Sequence, residues 1–169
     1  MSHEPKVDLR IRPATVADAP LLLEFIRAIA EYEKLLDQVE ATEESVRESL
    51  FGNNRRATVD ALIAEWRGEP AAFAVYFHNY STFTGRAGFY LEDLFVKPEF
   101  RRHGIGQRML AHLAKIAVDR GCPRFEWMAL DWNESAIKFY EGLGAKQLSD
   151  WRYFRLSGEP LAKLAALET

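Results

Sequence analysis

The chain has 169 residues, 48% of them apolar and 28% charged, the composition of a globular protein with a real core. A net charge of −3 leaves no excess of Lys and Arg to neutralise phosphates, which argues against nucleic acid as the main partner. The single cysteine, Cys122, excludes an intramolecular disulfide, and no apolar run approaches the roughly 20 residues of a membrane-spanning helix. The polar start Met1-Ser2-His3-Glu4-Pro5-Lys6 lacks the apolar core of a signal peptide, so a cytoplasmic protein is expected, with no membrane partner.

No repeat, low-complexity stretch or Pro/Gly/Ser-rich linker divides the chain, and residues 1–169 read as one domain. Leu9 to Arg12 predicts a first strand. Thr15 and Asp18 mark a helix start, with Leu22, Leu23, Phe25, Ile26 and Ile29 on its apolar side. Thr42 is a second N-cap, for a short helix to Phe51 that Gly52-Asn53-Asn54 ends. Ala61 to Trp66 and Ala71 to Tyr80 form a hairpin across the turn Arg67-Gly68-Glu69-Pro70. After a loop from Ser81 to Gly85, Phe89 to Val96 is the next strand.

From Gly104 to Arg120 the period is helical, with Ile105, Met109, Leu113, Ile116 and Ala117 on one face and Gly121-Cys122-Pro123 as its stop. Phe125 to Leu130 predicts a strand. Asn133 to Leu143 predicts a helix capped by Asn133 and stopped by Gly144. Trp151 to Leu156 predicts a last strand and Leu161 to Leu167 a short C-terminal helix. The order β-α-α-β-β-β-α-β-α-β implies an α/β domain with a mixed central sheet and helices on both faces.

The chemistry concentrates where the strand Tyr90-Leu91-Glu92-Asp93-Leu94-Phe95-Val96 leads into Arg101-Arg102-His103-Gly104-Ile105-Gly106. A glycine-bearing turn at a helix N-terminus is an anion cradle, because the first N–H groups lack partners and the helix dipole is positive there. Arg101 and Arg102 add forks for phosphate oxygens. No Gly-Lys-Ser/Thr follows, so this is not a Walker loop. Gly106 has Met109 three residues on, so it is not the dinucleotide fingerprint either. Read alone, the two glycines are also consistent with a turn that merely shapes the entry to the helix.

In context the motif resembles the pyrophosphate-binding Q/R-x-x-G-x-G/A of the GNAT acetyltransferases, and the resemblance extends over essentially the whole chain. Ile11-Arg12-Pro13-Ala14-Thr15 is similar to a typical opening of that family. The Tyr90 to Val96 strand, Trp132-Asn133-Glu134 and Phe139-Tyr140 look more specifically like the spermidine/spermine branch, which includes thialysine acetyltransferases. The resemblance implies a GNAT fold and acetyl-CoA as co-substrate. It implies that Leu94, Phe95 and Val96 serve the pantetheine arm, Leu94 and Val96 through backbone groups. It assigns the pyrophosphate to Arg101, Arg102, His103, Gly104, Ile105, Gly106 and Gln107. Asn133, Glu134, Ser135 and Ala136 are implied contacts from the next helix. A solvent-facing turn residue is the plainer reading of His103.

A primary amine is the natural acceptor for such a donor. With a pKa of about 10.4 it is only around one part in 10³ neutral at pH 7, so it must lose a proton before attacking a thioester. The leaving thiolate, of ordinary pKa near 8.5, gains one. Glu92 is the base candidate, through water; otherwise it is a strand carboxylate in a salt bridge. Asp93 is set aside, because alternation along a strand turns it to the other face unless a bulge intervenes. Tyr140 is the acid candidate by resemblance, although a tyrosine on a helix's apolar side is ordinarily core. Cys122 has no base near it in sequence, which favours direct attack in a ternary complex over a covalent intermediate. His3, His78, His103 and His112 show no metal-ligand spacing.

Glu31, Glu33, Asp37, Glu40, Glu43 and Glu44 form an acidic run that reads either as a solvated face or as an attractor of cationic amines. By resemblance, Tyr32 and Glu33 contact the acceptor, and Glu126, Trp127 and Met128 line its channel. The polyamine enzymes of the family carry Asp-Pro-Trp where this chain has Thr82-Phe83-Thr84, and their acid-rich loop is shortened here to Ser149-Asp150. Both changes remove negative or aromatic groups that would grip a long polyamine, so a shorter amine or a lysine-like amino acid such as thialysine fits as well as spermine. The competing readings are a protein or peptide amine acetyltransferase and a non-catalytic acyl-CoA sensor. The family usually dimerises, which implies a homodimer, and Trp151-Arg152-Tyr153-Phe154 reads either as its surface or as ordinary core.

Overall fold

The computed structural model describes residues 8–53 and 58–168. Asn54 of the predicted helix stop and the polar start Met1–Lys6 lie outside the described residues. The chain divides into two compact units, Met1–Met128 and Ala129–Thr169.

The first unit is built on a five-stranded sheet in the order β1 (Leu9–Pro13), β2 (Val59–Trp66), β3 (Glu69–Ser81), β4 (Arg86–Val96) and β5 (Phe125–Trp127). The first three pairings are antiparallel and β4–β5 is parallel, so the sheet is mixed, as predicted. The β2–β3 hairpin is closed by Arg67 and Gly68, both at positive φ (53° and 92°), which a two-residue turn of matching twist requires. Ala61-Leu62-Ile63-Ala64 and Ala71-Ala72-Phe73-Ala74 are buried without interruption, the mark of strands covered on both faces.

One face is covered by α1 (Ala19–Tyr32) and α2 (Glu43–Phe51), whose Leu22, Phe25, Val46 and Leu50 join Ala61, Ile63, Phe73 and Phe95 in one core. Phe25 stacks on Phe73 with ring centroids 5.0 Å apart. The start of α1 is fixed by Arg12, which donates to the Asp18 carboxylate at 2.8 and 2.9 Å and to Glu65 at 2.7 Å. Those charge-assisted bonds hold the Asp18 carboxyl well below the usual range and tie the first two strands to the helix. The other face takes α3 (Ile105–Asp119), which packs on β3 and β4 through Ile105, Met109, Leu113 and Ala117.

The second unit contains α4 (Glu134–Gly142) and α5 (Gly158–Ala165). Asn133 caps α4 as predicted, its side-chain oxygen accepting the Ala136 N–H at 3.3 Å. Two strand expectations are corrected. The predicted Phe125 to Leu130 strand ends at Trp127, and Trp151 to Leu156 forms no strand. A strand needs a ladder partner as well as β-forming residues, and among the described residues of 129–168 there is no second strand. Across the described residues no helix is long and apolar enough to cross a membrane.

Gly88 in β4 lies opposite Asn79 of β3, whose amide Nδ2 donates to Glu126 of β5 at 2.9 Å. An alanine methyl at Gly88 would run into the Asn79 side-chain oxygen. Gly88→Ala is expected to lower stability by about 1–3 kcal/mol in urea denaturation, as overpacking does. Adding Asn79→Ala should restore part of the loss, and full stability of the single variant would contradict the contact.

Candidate active site

The strand β4 carries the two adjacent acids, Glu92 and Asp93. Its pairing with β3 runs Tyr76↔Leu91 and then Val75↔Asp93, so Glu92 is an extra residue, a β-bulge. The bulge reverses the alternation beyond it. Asp93 and Phe95 now lie opposite Val75 and Phe73, on the face covered by α1. The parallel ladder with β5 covers Phe89–Leu91 and stops one residue before the bulge. Among the described strands, 92–96 therefore have a ladder partner on one edge alone.

This is the bulge that the sequence reading named as the exception to setting Asp93 aside. Asp93 is half-buried, whereas Glu92 is exposed. Burial pushes the Asp93 carboxyl up to about 7, reinforced by the negative charges of Glu92 and Glu33. Glu33 follows the last residue of α1, where its N–H still bonds the Ile29 carbonyl at 2.9 Å. Its own carboxyl is raised by burial. Of the acidic run between the first two helices, Glu33 is the member whose charge is felt at Asp93. Sequence reasoning set Asp93 aside on regular alternation; the signal for a bulge was two adjacent acids in an otherwise apolar strand, a pattern regular pleating accommodates poorly.

Downstream of β4, Pro98–Phe100 forms a 3-10 turn, and Arg102 and Gly104 both take positive φ (67° and 71°). The first bond that closes α3 runs from the Arg108 N–H to the Gly104 carbonyl at 3.0 Å. The N–H groups of Ile105, Gly106 and Gln107 thus precede the helix ladder and form its positive end. Arg101 is exposed, and its Nε donates to the Val96 carbonyl at 3.1 Å. Helix-end N–H groups with two arginines beside them are a donor set that fits a diphosphate. His103 has a different place. Its Nδ1 lies 2.9 Å from the Arg101 carbonyl and 3.2 Å from the Phe100 carbonyl, so that nitrogen carries the proton, and the ring rests against Trp66. It braces the turn.

The remaining predicted residues divide. Phe95 is only 6% exposed and belongs to the core, so its side chain is not available to a ligand. Leu94 and Val96 sit on the half-paired stretch of β4. Tyr32 stands at the end of α1, 6.3 Å from Phe95 between ring centroids. Glu126 is clamped, accepting from Asn79 and pairing with Arg124 at 2.9 Å, so much of its charge is already answered. Trp127 packs edge-on against Phe125, and Met128 is exposed. In the second unit, Glu134, Ser135 and Ala136 open α4 behind their cap Asn133, and Tyr140 lies half-buried in its last turn beside Phe139. Thr82-Phe83-Thr84 forms the β3–β4 turn, with Phe83 94% exposed. Among the described residues no group of three or more His, Cys, Asp or Glu side chains is arranged to hold a metal ion.

The sequence profile of the acetyltransferase (GNAT) family matches residues 25–145, from the first helix through the cradle to the end of α4. The chain belongs to that family. This GNAT acetyltransferase is 42% identical over 166 residues to the thialysine N-epsilon-acetyltransferase of Sus scrofa, spanning 92% of this chain and 96% of that one. It is 30% identical over 201 residues to the L-ornithine N5-acetyltransferase of Arabidopsis thaliana, spanning 94% and 88%. Among solved structures, an integron cassette protein from the mobile metagenome of V. cholerae superposes with a TM-score of 0.78 at 29% identity, covering 94% and 98% of the two chains. GNAT acetyltransferases use acetyl-CoA as co-substrate.

The buried carboxyl gives the acetyltransferase a pH signature. Asp93 has a higher pKa folded than unfolded, so folding favours its neutral form. That stabilisation is complete below about pH 4 and is lost as pH rises through about 7. Moving a carboxyl from 3.8 to about 7 weighs on folding by up to about 4 kcal/mol above that range. Asp93→Asn is therefore expected to be more stable than the parent at pH 8 and similar at pH 4.5 in urea denaturation. A variant with the same deficit or gain at both pH values would show that Asp93 is not desolvated.

Proposed function

We propose that the protein transfers an acetyl group from acetyl-CoA to the primary amine of a short diamine or a lysine-like amino acid such as thialysine. The observation that carries the reading is the placement, within one unit, of an anion cradle at the start of α3 and a carboxylate group at the β4 bulge that leads into it. The cradle suits the diphosphate of the donor, and the acids suit a cationic acceptor. The thialysine and ornithine acetyltransferases to which the chain is similar support the amine class. The plain turn Thr82-Phe83-Thr84 supports a short acceptor over a long polyamine.

The donor supplies a thioester carbonyl open to attack. Glu92, solvent-facing on the bulge, takes the amine proton through water. Asp93 beside it, at about 7, is poised to exchange protons near neutral pH, as efficient acid–base work favours. Tyr140 donates a proton to the departing sulfur, a role supported by its matching position in the family. Attack is direct, in a ternary complex; Cys122 ends α3 in a glycine turn with no base assigned to it. We assign the protein to the cytoplasm, where a lone thiol stays reduced. We also propose a homodimer, supported by the exposed Trp151, Tyr153 and Phe154.

The decisive experiment is a CoA-release assay across diamines, polyamines, thialysine, lysine, ornithine and a peptide panel. Turnover should be highest on thialysine or a short diamine and weak on spermine. Release on peptides alone would transfer the reading to protein acetylation, and acetyl-CoA binding without release on any amine would make the protein a sensor. Tyr140→Phe should keep acetyl-CoA affinity and lose turnover by roughly 10²-fold or more. Full turnover by that variant across the pH range would remove Tyr140 from the mechanism.

A further inference from the structure

The predicted acceptor residue Tyr32 and the predicted donor residue Arg101 touch each other. The Arg101 guanidinium carbon lies 4.9 Å from the centre of the Tyr32 ring and 5.6 Å from that of Phe95. Its Nε is held on the Val96 carbonyl at 3.1 Å. A planar guanidinium with one edge bonded and its face on an aromatic ring keeps its two terminal nitrogens for an anion. Phe95 is fixed in the core, and Tyr32 is 37% exposed at the end of α1. Tyr32 is thus the outer wall of the stack.

We propose that Tyr32 is a positioning residue for the donor, holding Arg101 in the orientation that grips a diphosphate, so that the acceptor end of α1 and the donor cradle share one stack. The inference rests on the proposed use of acetyl-CoA. It gives Tyr32 a task that needs no acceptor. It also provides a physical link between the two sites: an amine that orders the end of α1 tightens the diphosphate grip, and by reciprocity CoA tightens the amine.

The test is calorimetric binding of CoA with no amine present, to the full chain and to Tyr32→Leu, Tyr32→Phe, Arg101→Gln and the Tyr32→Leu/Arg101→Gln pair. A cation–π contact of this exposure corresponds to about a two- to five-fold change in affinity. Tyr32→Leu should weaken CoA by about that factor, and Tyr32→Phe, which keeps the ring face, should not. In the Arg101→Gln background Tyr32→Leu should have no further effect, since the partner it positions is gone. Unchanged binding by Tyr32→Leu, an equal loss in both backgrounds, or a loss in Tyr32→Phe as large as in Tyr32→Leu would overturn the inference. Failure of the parent chain to bind CoA would instead overturn the proposed function.

Discussion

The β-bulge at Glu92 is the constraint on which the rest of the candidate site depends. One extra residue in β4 has three consequences. It projects Glu92 out of the pleat toward solvent. It turns Asp93 to the face that α1 covers, near Glu33. It also coincides with the end of the β5 ladder, which leaves the stretch to Val96 with an edge free of strand pairing among the described residues. A regular strand would place the two acids on opposite faces and bury one of them against α3.

Burying a carboxyl beside two other acids costs stability, and the fold carries that cost locally. On the same face of the sheet, Phe25 stacks on Phe73, and Phe95, two residues after Asp93, is buried. The Arg12 bonds to Asp18 and Glu65 anchor the start of α1, so that its far end can bring Tyr32 and Glu33 over β4. On the other side of the bulge, the positive end of α3 and the arginines of the turn supply the opposite field. Acidic and cationic groups thus lie a short distance apart in sequence, at the bulge of one strand and in the turn that follows it.

The local parts of this arrangement were legible in the sequence. The caps at Thr42 and Asn133, the hairpin turn at Arg67-Gly68 and the helix that begins at Ile105 each depend on contacts within a few residues, and the structure has them all. The cradle was equally legible, because a glycine turn feeding an amphipathic helix is a local pattern. The strand at Trp151 to Leu156 misled because β-forming composition does not supply a ladder partner. His103 fits its plainer reading as an exposed turn residue, and the structure adds that its ring braces its own turn.

By itself, the sequence determined the class of fold and the glycine turn that opens α3, since both rest on periodicity and short local patterns, and it carried the family resemblance that the profile match bears out. Only the tertiary structure decided which acid of β4 is desolvated, which of the six acids from Glu31 to Glu44 has its charge felt at Asp93, and that Tyr32 faces Arg101. The reason is physical. A carboxyl's proton affinity and a guanidinium's orientation are set by groups distant in sequence, and a one-residue slip in strand register, invisible in the order of residues, decides which of those groups it meets.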